Sequence, residues 1–422
     1  MQFQNSLQFA QQLDQQDKLR KYREEFNFPK VNDKEVIYFT GNSLGLQPKR
    51  TEAYVNEVMN DWKELAVEGH FYAKKPWWDY HERLAEPLSK IVGAKKEEIT
   101  VMNTLTVNLH LLMVSFYRPT LKRFKILCEE KAFPSDQYML ASQVKFHGFD
   151  PEEAIVTIKK REGEHFWRTE DIISKIEEFG NELALVLIGG VNYYNGQVFD
   201  MEAITKAGHM VGAKVGWDLA HAAGNIKMEL HNWNVDFAAW CSYKYMNAGP
   251  GNASGVFVHE KYLGKKDIPR FEGWWGHNKE RRFLMEPHFD PMPNAEAWQL
   301  SNAPILSVAP YLASLSLFEE VGMNELIEKR ITLTAYLEFV LTEIDKEVSS
   351  TFEIITPPER GCQLSVFLHG EGRSLFDYLM KEGVIVDWRE PNVIRLAPVP
   401  FYCSFEDMYR FGQILKKGIL TK

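Results

Sequence analysis

An acid, an imidazole and an amine stand close together near the middle of this chain. Asp218 ends the run Ala213-Lys-Val-Gly-Trp-Asp218, His221 follows at the turn into Ala222-Ala-Gly-Asn, and Lys244 closes Cys241-Ser242-Tyr243-Lys244. The Gly-rich stretch Ala248-Gly-Pro-Gly-Asn-Ala-Ser-Gly255 comes directly after. A lysine that can form a Schiff base, an acid that can hold a pyridine nitrogen protonated, and a cup for a phosphate are together what pyridoxal 5'-phosphate requires of a protein. The cup is offered by Asn103-Thr-Leu-Thr-Val-Asn108, just ahead of an apolar helix expected over Leu109 to Phe116. Free N–H groups and the positive end of a helix dipole suit a phosphate, and the Thr106 hydroxyl adds a donor. Phe133, in Phe133-Pro-Ser-Asp136, offers an aromatic face to a planar ring. Taken singly, each residue has an ordinary reading: an acid at a strand end caps a helix, a lone lysine is a solvated charge, His221 is structural, Thr106 is a cap, and Phe133 merely precedes a helix. The joint pattern carries the chemistry.

Elements of the right order surround these residues. From about Lys122, short β-branched runs alternate with amphipathic segments. Strands are expected over Phe124 to Cys128, Ala154 to Ile158, Ala184 to Ile188, Ala213 to Trp217, Phe237 to Ser242 and Gly255 to His259. Helices are expected over Pro134 to Phe146, Thr169 to Phe179 and Met201 to Val211. That alternation predicts βαβ units and an α/β domain with a mostly parallel central sheet covered on both faces. Ligands of such sheets bind outside the carboxyl ends of the strands, where Asp218 and Lys244 both fall. Residues 1–60 read as an N-terminal arm and helix packing with the small domain, 61–310 as the large domain, and 311–422 as a smaller α+β domain. The arm holds a short strand, Val36 to Thr40. The small domain starts with long helical patterns from Ala309 to Lys346; strands over Phe352 to Thr356, Gln363 to Leu368, Val384 to Asp387 and Val393 to Leu396, with helices over Leu375 to Lys381 and Phe405 to Lys417, complete it. Phe271 to Asn302, dense in Gly, Pro, Trp and His, reads as a long structured loop beside a site.

Composition narrows the function classes. The chain has 422 residues, 45% of them apolar, and a formal net charge of −9, which fits a globular protein and opposes nucleic-acid binding, since that needs concentrated Lys and Arg. Four widely spaced cysteines, Cys128, Cys241, Cys362 and Cys403, suggest neither a zinc ribbon nor a disulfide framework, and reduced thiols in the cytoplasm are expected. The first twenty residues have no apolar core of a secretory signal, no run is long enough to span a membrane, and no metal-ligand motif occurs. Gly41-Asn42-Ser43-Leu44-Gly45 is literally G-x-S-x-G, so a serine hydrolase centred on Ser43 must be weighed. Only one strand precedes it and Pro48 delays the next helix, which favours a tight turn whose glycines allow positive φ. Such a turn can also reach into a neighbouring site.

With Asp218, His221 and Ser242-Tyr-Lys244 in hand, the chain resembles fold-type I pyridoxal phosphate enzymes and, more narrowly, the kynureninase family. The likeness runs through YFTGNSLGLQP, MNTLTVNLHLLMVSF, KAFPSDQY, WDLAHAAGN, DFAAWCSYKYMNAGPG, GWWGH, LSNAPIL, ERGCQLSV and IRLAPVP, in order over nearly the whole chain. The resemblance implies hydrolysis of L-kynurenine, its 3-hydroxy form, or both, to anthranilate or 3-hydroxyanthranilate and L-alanine, in tryptophan breakdown and NAD biosynthesis. It implies Lys244 as the Schiff-base lysine, Asp218 as partner of the pyridine nitrogen and His221 as a neighbour of the cofactor. Leu105, Thr106 and Tyr243 would hold the phosphate, and Phe133, Ser135 and Asp136 would line the ring and phosphate side. Trp274 and Asn302 match further cofactor-binding positions contributed across a homodimer interface. Arg395 matches the arginine for the substrate α-carboxylate, while His70, Ser301 and Asn302 face its aromatic part; Asn42 and Ser43 are expected on the substrate side. Tyr243 is in addition a candidate for proton transfer near the carbonyl. His70 and Asn302 can pair with a phenol, which favours the hydroxylated substrate. Two departures stand out: Gly189 occupies a position where a small hydroxyl residue is expected, and Trp274-Trp275 makes the aromatic lining bulkier.

Rival chemistries exist on the same fold. A cysteine desulfurase needs a reactive thiol, for which Cys362 and Cys403 are candidates by position, and an aminotransferase needs a keto-acid acceptor. A non-catalytic cofactor-binding protein would form the Schiff base without turnover.

Overall fold

Seven strands form the central sheet of the computed structural model, which describes residues 2–348, 351–370 and 372–421. In chain order they are β1 (Ile99–Met102), β2 (Lys125–Glu129), β3 (Ile155–Ile158), β4 (Leu183–Gly189), β5 (Lys214–Asp218), β6 (Phe237–Trp240) and β7 (Ser254–Val258), laid side by side as β1-β7-β6-β5-β4-β2-β3. All neighbours from β3 to β6 pair parallel, and β7 runs against both β6 and β1. The central strands read as near-continuous apolar runs because helices cover both faces of a parallel sheet. In β4, Leu183 to Ile188 are all buried. The helices α3 (Leu105–Phe116), α4 (Pro134–Phe146), α5 (Thr169–Phe179) and α6 (Met201–Met210) supply that cover; α1 (Leu7–Gln16) and α2 (Thr51–Leu65) precede them.

Beyond the sheet, the long helical patterns expected from Ala309 to Lys346 form α7 (Ile305–Val321) and α8 (Met323–Glu347). Gly322, at φ +80°, makes the break. The small sheet, β8 (Phe352–Ile354), β9 (Leu364–Leu368), β10 (Asp387–Arg389) and β11 (Val393–Leu396), is antiparallel in the order β8-β9-β11-β10; beside it α9 (Arg373–Lys381) packs on α10 (Phe405–Leu420), and α10 on α1 and α8. The segment Val384 to Asp387, expected as one strand, splits at Val386. Val384–Ile385 pairs in parallel with Ile37–Tyr38 of the N-terminal arm, and Asp387 begins β10. The edge strand β1 was not foreseen, since four apolar and β-branched residues inside a helical stretch give no period to read. Among the described residues no single helix is long and apolar enough to cross a membrane.

The arm is fastened by buried charges. Asp14 accepts from the Phe405 and Glu406 N–H groups at 2.8 and 2.9 Å, capping α10, and Asp17 pairs with Lys329 of α8 at 2.7 Å.

Asp236, 1% exposed just before β6, binds four groups around it. Oδ2 accepts from the Val215 N–H at 2.7 Å and from His209 Nε2 at 2.8 Å; Oδ1 accepts from the Tyr262 hydroxyl at 2.5 Å and faces Lys261 Nζ at 2.8 Å. Burial alone would raise its pKa, but the hydrogen bond to His209 and the charge of Lys261 outweigh it and hold the carboxyl well below the usual range. A carboxyl lowered in the folded state contributes stability that is complete above its unfolded value, near 3.9, and is lost as the pH falls through the folded one. Asp236→Ala is therefore expected to cost about 3–5 kcal/mol at pH 7, and the gap from wild type in urea melts should narrow steadily below about pH 4.

Candidate active site

The parallel register that sets Asp218 beside Gly189 on one side and Ala239 on the other brings the carboxyl ends of β4, β5 and β6 level. Lys244 lies four residues past the end of β6, so acid and amine reach the same sheet edge. There they share a cavity of about 520 Å³ with Leu105, Thr106, Phe133, Ser135, Asp136, His221 and Tyr243. Nine of the residues singled out in the sequence thus converge in one place.

Backbone chemistry fixes the walls. Helix α3 begins at Leu105, four residues earlier than expected. The turn before it is set by Asn103 at φ +43° and by Asn108 Nδ2, which donates to the Met102 carbonyl at 2.8 Å. Leu105 and Thr106 are the first residues of this 12-residue helix, so their N–H groups have no partner within it and face the cavity end. The Ser242 hydroxyl donates to the Ala253 carbonyl at 2.6 Å, tying the lysine segment to the Gly-rich turn. Gly45 N–H donates to the Tyr243 carbonyl at 2.8 Å, and a Cβ there would stand 2.5 Å from the Lys244 carbonyl oxygen. Close approach to the lysine segment, not a nucleophile, is what the G-x-S-x-G glycines serve. Ser43 itself is exposed, and among the described residues no acid or imidazole bonds its hydroxyl.

Lys244 Nζ stands 3.1 Å from His221 Nε2. Burial, then the positive charges of Lys244, Arg395 and Arg389, pull the His221 pKa well down, so the ring is neutral, accepts from the amine through Nε2 and carries its proton on Nδ1. That Nδ1 is buried without a partner. Three carboxyls gather across the cavity. Asp136 and Asp218 share a hydrogen bond, and burial followed by the neighbouring Asp218 charge raises Asp136 furthest; Asp136 holds the proton and Asp218 the charge. Glu129, at the end of β2, is pushed up to about 7 by burial, with the Asp218 charge adding to it. Sequence reading passed over Glu129, although its place at a strand's carboxyl end was a usable signal. It also bears on Gly189: a Cβ at this position would come within 3.3 Å of Glu129 Oε1, so a hydroxyl side chain there would crowd the acid.

Tyr193, also missed, lines the cavity and packs edge-on to Phe133 at 5.2 Å. Its carbonyl accepts from Arg395 Nη1 at 2.6 Å and from Gln363 Nε2 at 3.1 Å. Arg395 is 1% exposed on β11 and lies behind Tyr193 without lining the cavity. Asn42 is buried and donates to Gln363 Oε1 at 2.8 Å, so it braces this wall through Gln363. Tyr243 stays protonated, because burial raises its pKa.

Four expected residues lie elsewhere in the single chain. Trp274 is 47% exposed and donates to the Arg282 carbonyl at 3.1 Å, whereas Trp275 is buried under the Arg282 guanidinium. Ser301 and Asn302 are exposed, and His70 packs on Trp77 with Nδ1 2.9 Å from the Val67 carbonyl oxygen. The thiols of a desulfurase reading are no better placed: Cys362 and Cys403 are buried, and burial pushes Cys362 up to about 12, away from thiolate chemistry.

A family model described as the kynureninase C-terminal domain matches residues 326–415. Kynureninase of Flavobacterium johnsoniae is 76% identical over 100% of both chains, that of Myxococcus xanthus 54% over 98% of this chain and 97% of its own, and that of the animal Nematostella vectensis 46% over 99% and 94%. Among solved structures, a cysteine desulfurase from Thermococcus onnurineus superposes with a TM-score of 0.76 at 17% identity, covering 92% of this chain and 95% of its own. A mutant C-DES protein with glycine covalently linked to its PLP cofactor superposes with a TM-score of 0.77 at 15% identity, covering 93% and 98%. The last two define the fold, fold-type I, while identity sustained from end to end defines the family, and the chain belongs to the kynureninases.

Proposed function

We propose that this enzyme uses pyridoxal 5'-phosphate to hydrolyse L-kynurenine, L-3-hydroxykynurenine or both, giving L-alanine and anthranilate or 3-hydroxyanthranilate. The observation that carries the reading is the meeting of Lys244, His221 and Asp218 in one cavity, in a chain with end-to-end kynureninase identity. The residues present fit the cofactor. An orphaned imidazole Nδ1, an aromatic face at Phe133, an ionised acid and a helix N-terminus account for its ring, nitrogen and phosphate. Bound there, the cofactor supplies an electron sink for cleavage beside the substrate amino group.

The chain's own side chains do the rest. Lys244, hydrogen-bonded to neutral His221, takes and returns the proton at the substrate Cα. Asp218, kept ionised by protonated Asp136, holds a proton on the pyridine nitrogen. Thr106, Ser135 and the first N–H groups of α3 bind phosphate. Tyr243, a fully protonated donor, serves either that phosphate or proton transfer at the γ-carbonyl. Arg395 engages the α-carboxylate. The assay is direct: loaded enzyme is given each substrate and both products are quantified. Equal amounts of alanine and the aromatic acid support the reading; sulfide release from cysteine, or dependence on a keto acid, overturns it.

We further propose a homodimer with composite sites. An exposed aromatic chain runs from Phe71 to Trp78, stacked on Phe283, which meets Trp274, and Leu284 and Met285 extend it. An apolar patch of this kind rimmed by polar residues seeks a partner. Trp274, Ser301, Asn302 and His70 would reach the partner's cavity from it. Phe71→Asp with Phe283→Asp is expected to halve the sedimenting mass and remove turnover together; a fully active monomer would refute shared sites. The four buried, unpaired thiols suit a reducing cytoplasm.

A further inference from the structure

Resting on the reading of Arg395 as the arginine that meets the substrate carboxylate, we infer that Asp387 and Arg389 complete that subsite, Asp387 as the residue that aims Arg395 and Arg389 as the cation that makes room for a second anion. Neither was suggested by the sequence. Asp387 and Arg395 are direct cross-strand partners on β10 and β11, and Arg389, two residues beyond Asp387, projects from the same face. Asp387 Oδ2 accepts from Arg395 Nη2 at 2.7 Å and Oδ1 from Nε at 3.2 Å, a side-on grip on the guanidinium. Nη1 donates to the Tyr193 carbonyl at 2.6 Å.

A guanidinium has five N–H donors. Three are committed here, which leaves one on each terminal nitrogen. A carboxylate can take one N–H from each terminal nitrogen in two parallel bonds. Asp387 thus orients Arg395 by its side and leaves one N–H on each terminal nitrogen uncommitted.

Charge balance explains Arg389. Its Nε lies 3.3 Å from Asp387 Oδ1 and its Nη2 3.4 Å from Oδ2, looser contacts than those of Arg395, and the Nε makes no aligned hydrogen bond. Two cations share one anion, so the cluster carries one surplus positive charge. A bound α-carboxylate brings it to two against two. Without Arg389, the same carboxylate would leave Arg395 between two anions, one of them Asp387, in a buried place where uncompensated charge is costly. The Arg389 charge also reaches the cavity itself, since it acts on both Tyr193 and His221.

The test compares R389Q and R389K with wild type in loaded enzyme, by turnover of L-kynurenine and by equilibrium binding of L-alanine and L-alaninamide followed through cofactor absorbance. In R389Q the KM is expected to rise at least about tenfold, well below the roughly 10³-fold of one unit charge acting over about 4 Å at an effective dielectric near 20, because the Arg389 side chain is 36% exposed and screened by solvent, while kcat falls far less. The preference for L-alanine over L-alaninamide, which lacks the carboxylate, should shrink by the same factor, and R389K should restore most of both. Looser folding would weaken the two ligands alike. An R389Q enzyme with wild-type KM, or with an unchanged alanine to alaninamide ratio, overturns the inference. If wild type binds L-alanine but does not turn over L-kynurenine, the proposed activity fails while the ligand ratio still decides the role of Arg389.

Discussion

Lys244→Ala should leave a folded protein whose turnover of L-kynurenine has dropped by about 10⁴-fold or more, the upper end of what one positioned proton-transfer group contributes, because in the proposed function the same amine is also the covalent anchor. Nothing in the fold depends on the side chain. Its single hydrogen-bond partner is His221 Nε2, and it is only half-buried at the cavity wall. Lys244→Arg should be as inactive as the alanine variant. An arginine keeps the positive charge and approximate reach, but it cannot be deprotonated in a protein and so can be neither base nor nucleophile. The pair therefore separates charge from proton transfer. Single-turnover measurement of alanine is the readout, and an alanine variant within tenfold of wild type would remove Lys244 from the chemistry.

Asp218→Asn is expected to lower kcat by about 10³-fold, whereas Asp136→Asn should cost roughly tenfold or less. The asymmetry follows from which member of the pair holds the proton. Asp136 is raised well above the usual range by burial and by the Asp218 charge, so it is the neutral donor, and an amide N–H can replace its O–H. Burial raises Asp218 as well, but less far than Asp136, because Asp136, the Ala220 N–H at 2.7 Å and the nearby Lys244 charge favour its ionised form; it carries the charge of the pair. A neutral amide at 218 cannot hold a proton on a pyridine nitrogen. Steady-state kinetics of the two variants, with cofactor retention measured in parallel, decide the matter; equal losses would mean that the proton is shared differently.

Particular residues show what the sequence made legible. Asp218, His221 and Lys244 could be found because they sit just after apolar runs whose strand character is plain, and a parallel sheet gathers strand ends at one edge whatever its detailed order. Helices α4 and α5 run over the expected residues, Pro134 to Phe146 and Thr169 to Phe179, opened by the first-turn residues Pro134 and Asp136 in α4 and Glu170 and Asp171 in α5. Glu129 escaped because an acid before Glu130-Lys131 reads as the start of a polar turn, although it follows directly on the apolar run of β2. Asp387 and Arg389 escaped because Val384 to Asp387 reads as one strand, whereas its first half belongs to a pairing with Ile37–Tyr38, some 350 positions away. Pairings at that distance leave no local period. For the same reason Trp274, Ser301, Asn302 and His70 cannot be assigned to a cavity from one chain alone, since the single chain leaves Trp274, Ser301 and Asn302 exposed and His70 against Trp77.

The clasp made by Asp14 and Asp17 has a bearing on how the polypeptide is born. Asp14 closes hydrogen bonds to residues 391 and 392 positions further on, so the caps it supplies to α10 are made long before the helix they cap. Contacts of such separation form late, because loop closure must come first. The amphipathic α1 must therefore wait, its apolar side uncovered, until α10 has been made, and its docking is a late event in the folding of the chain.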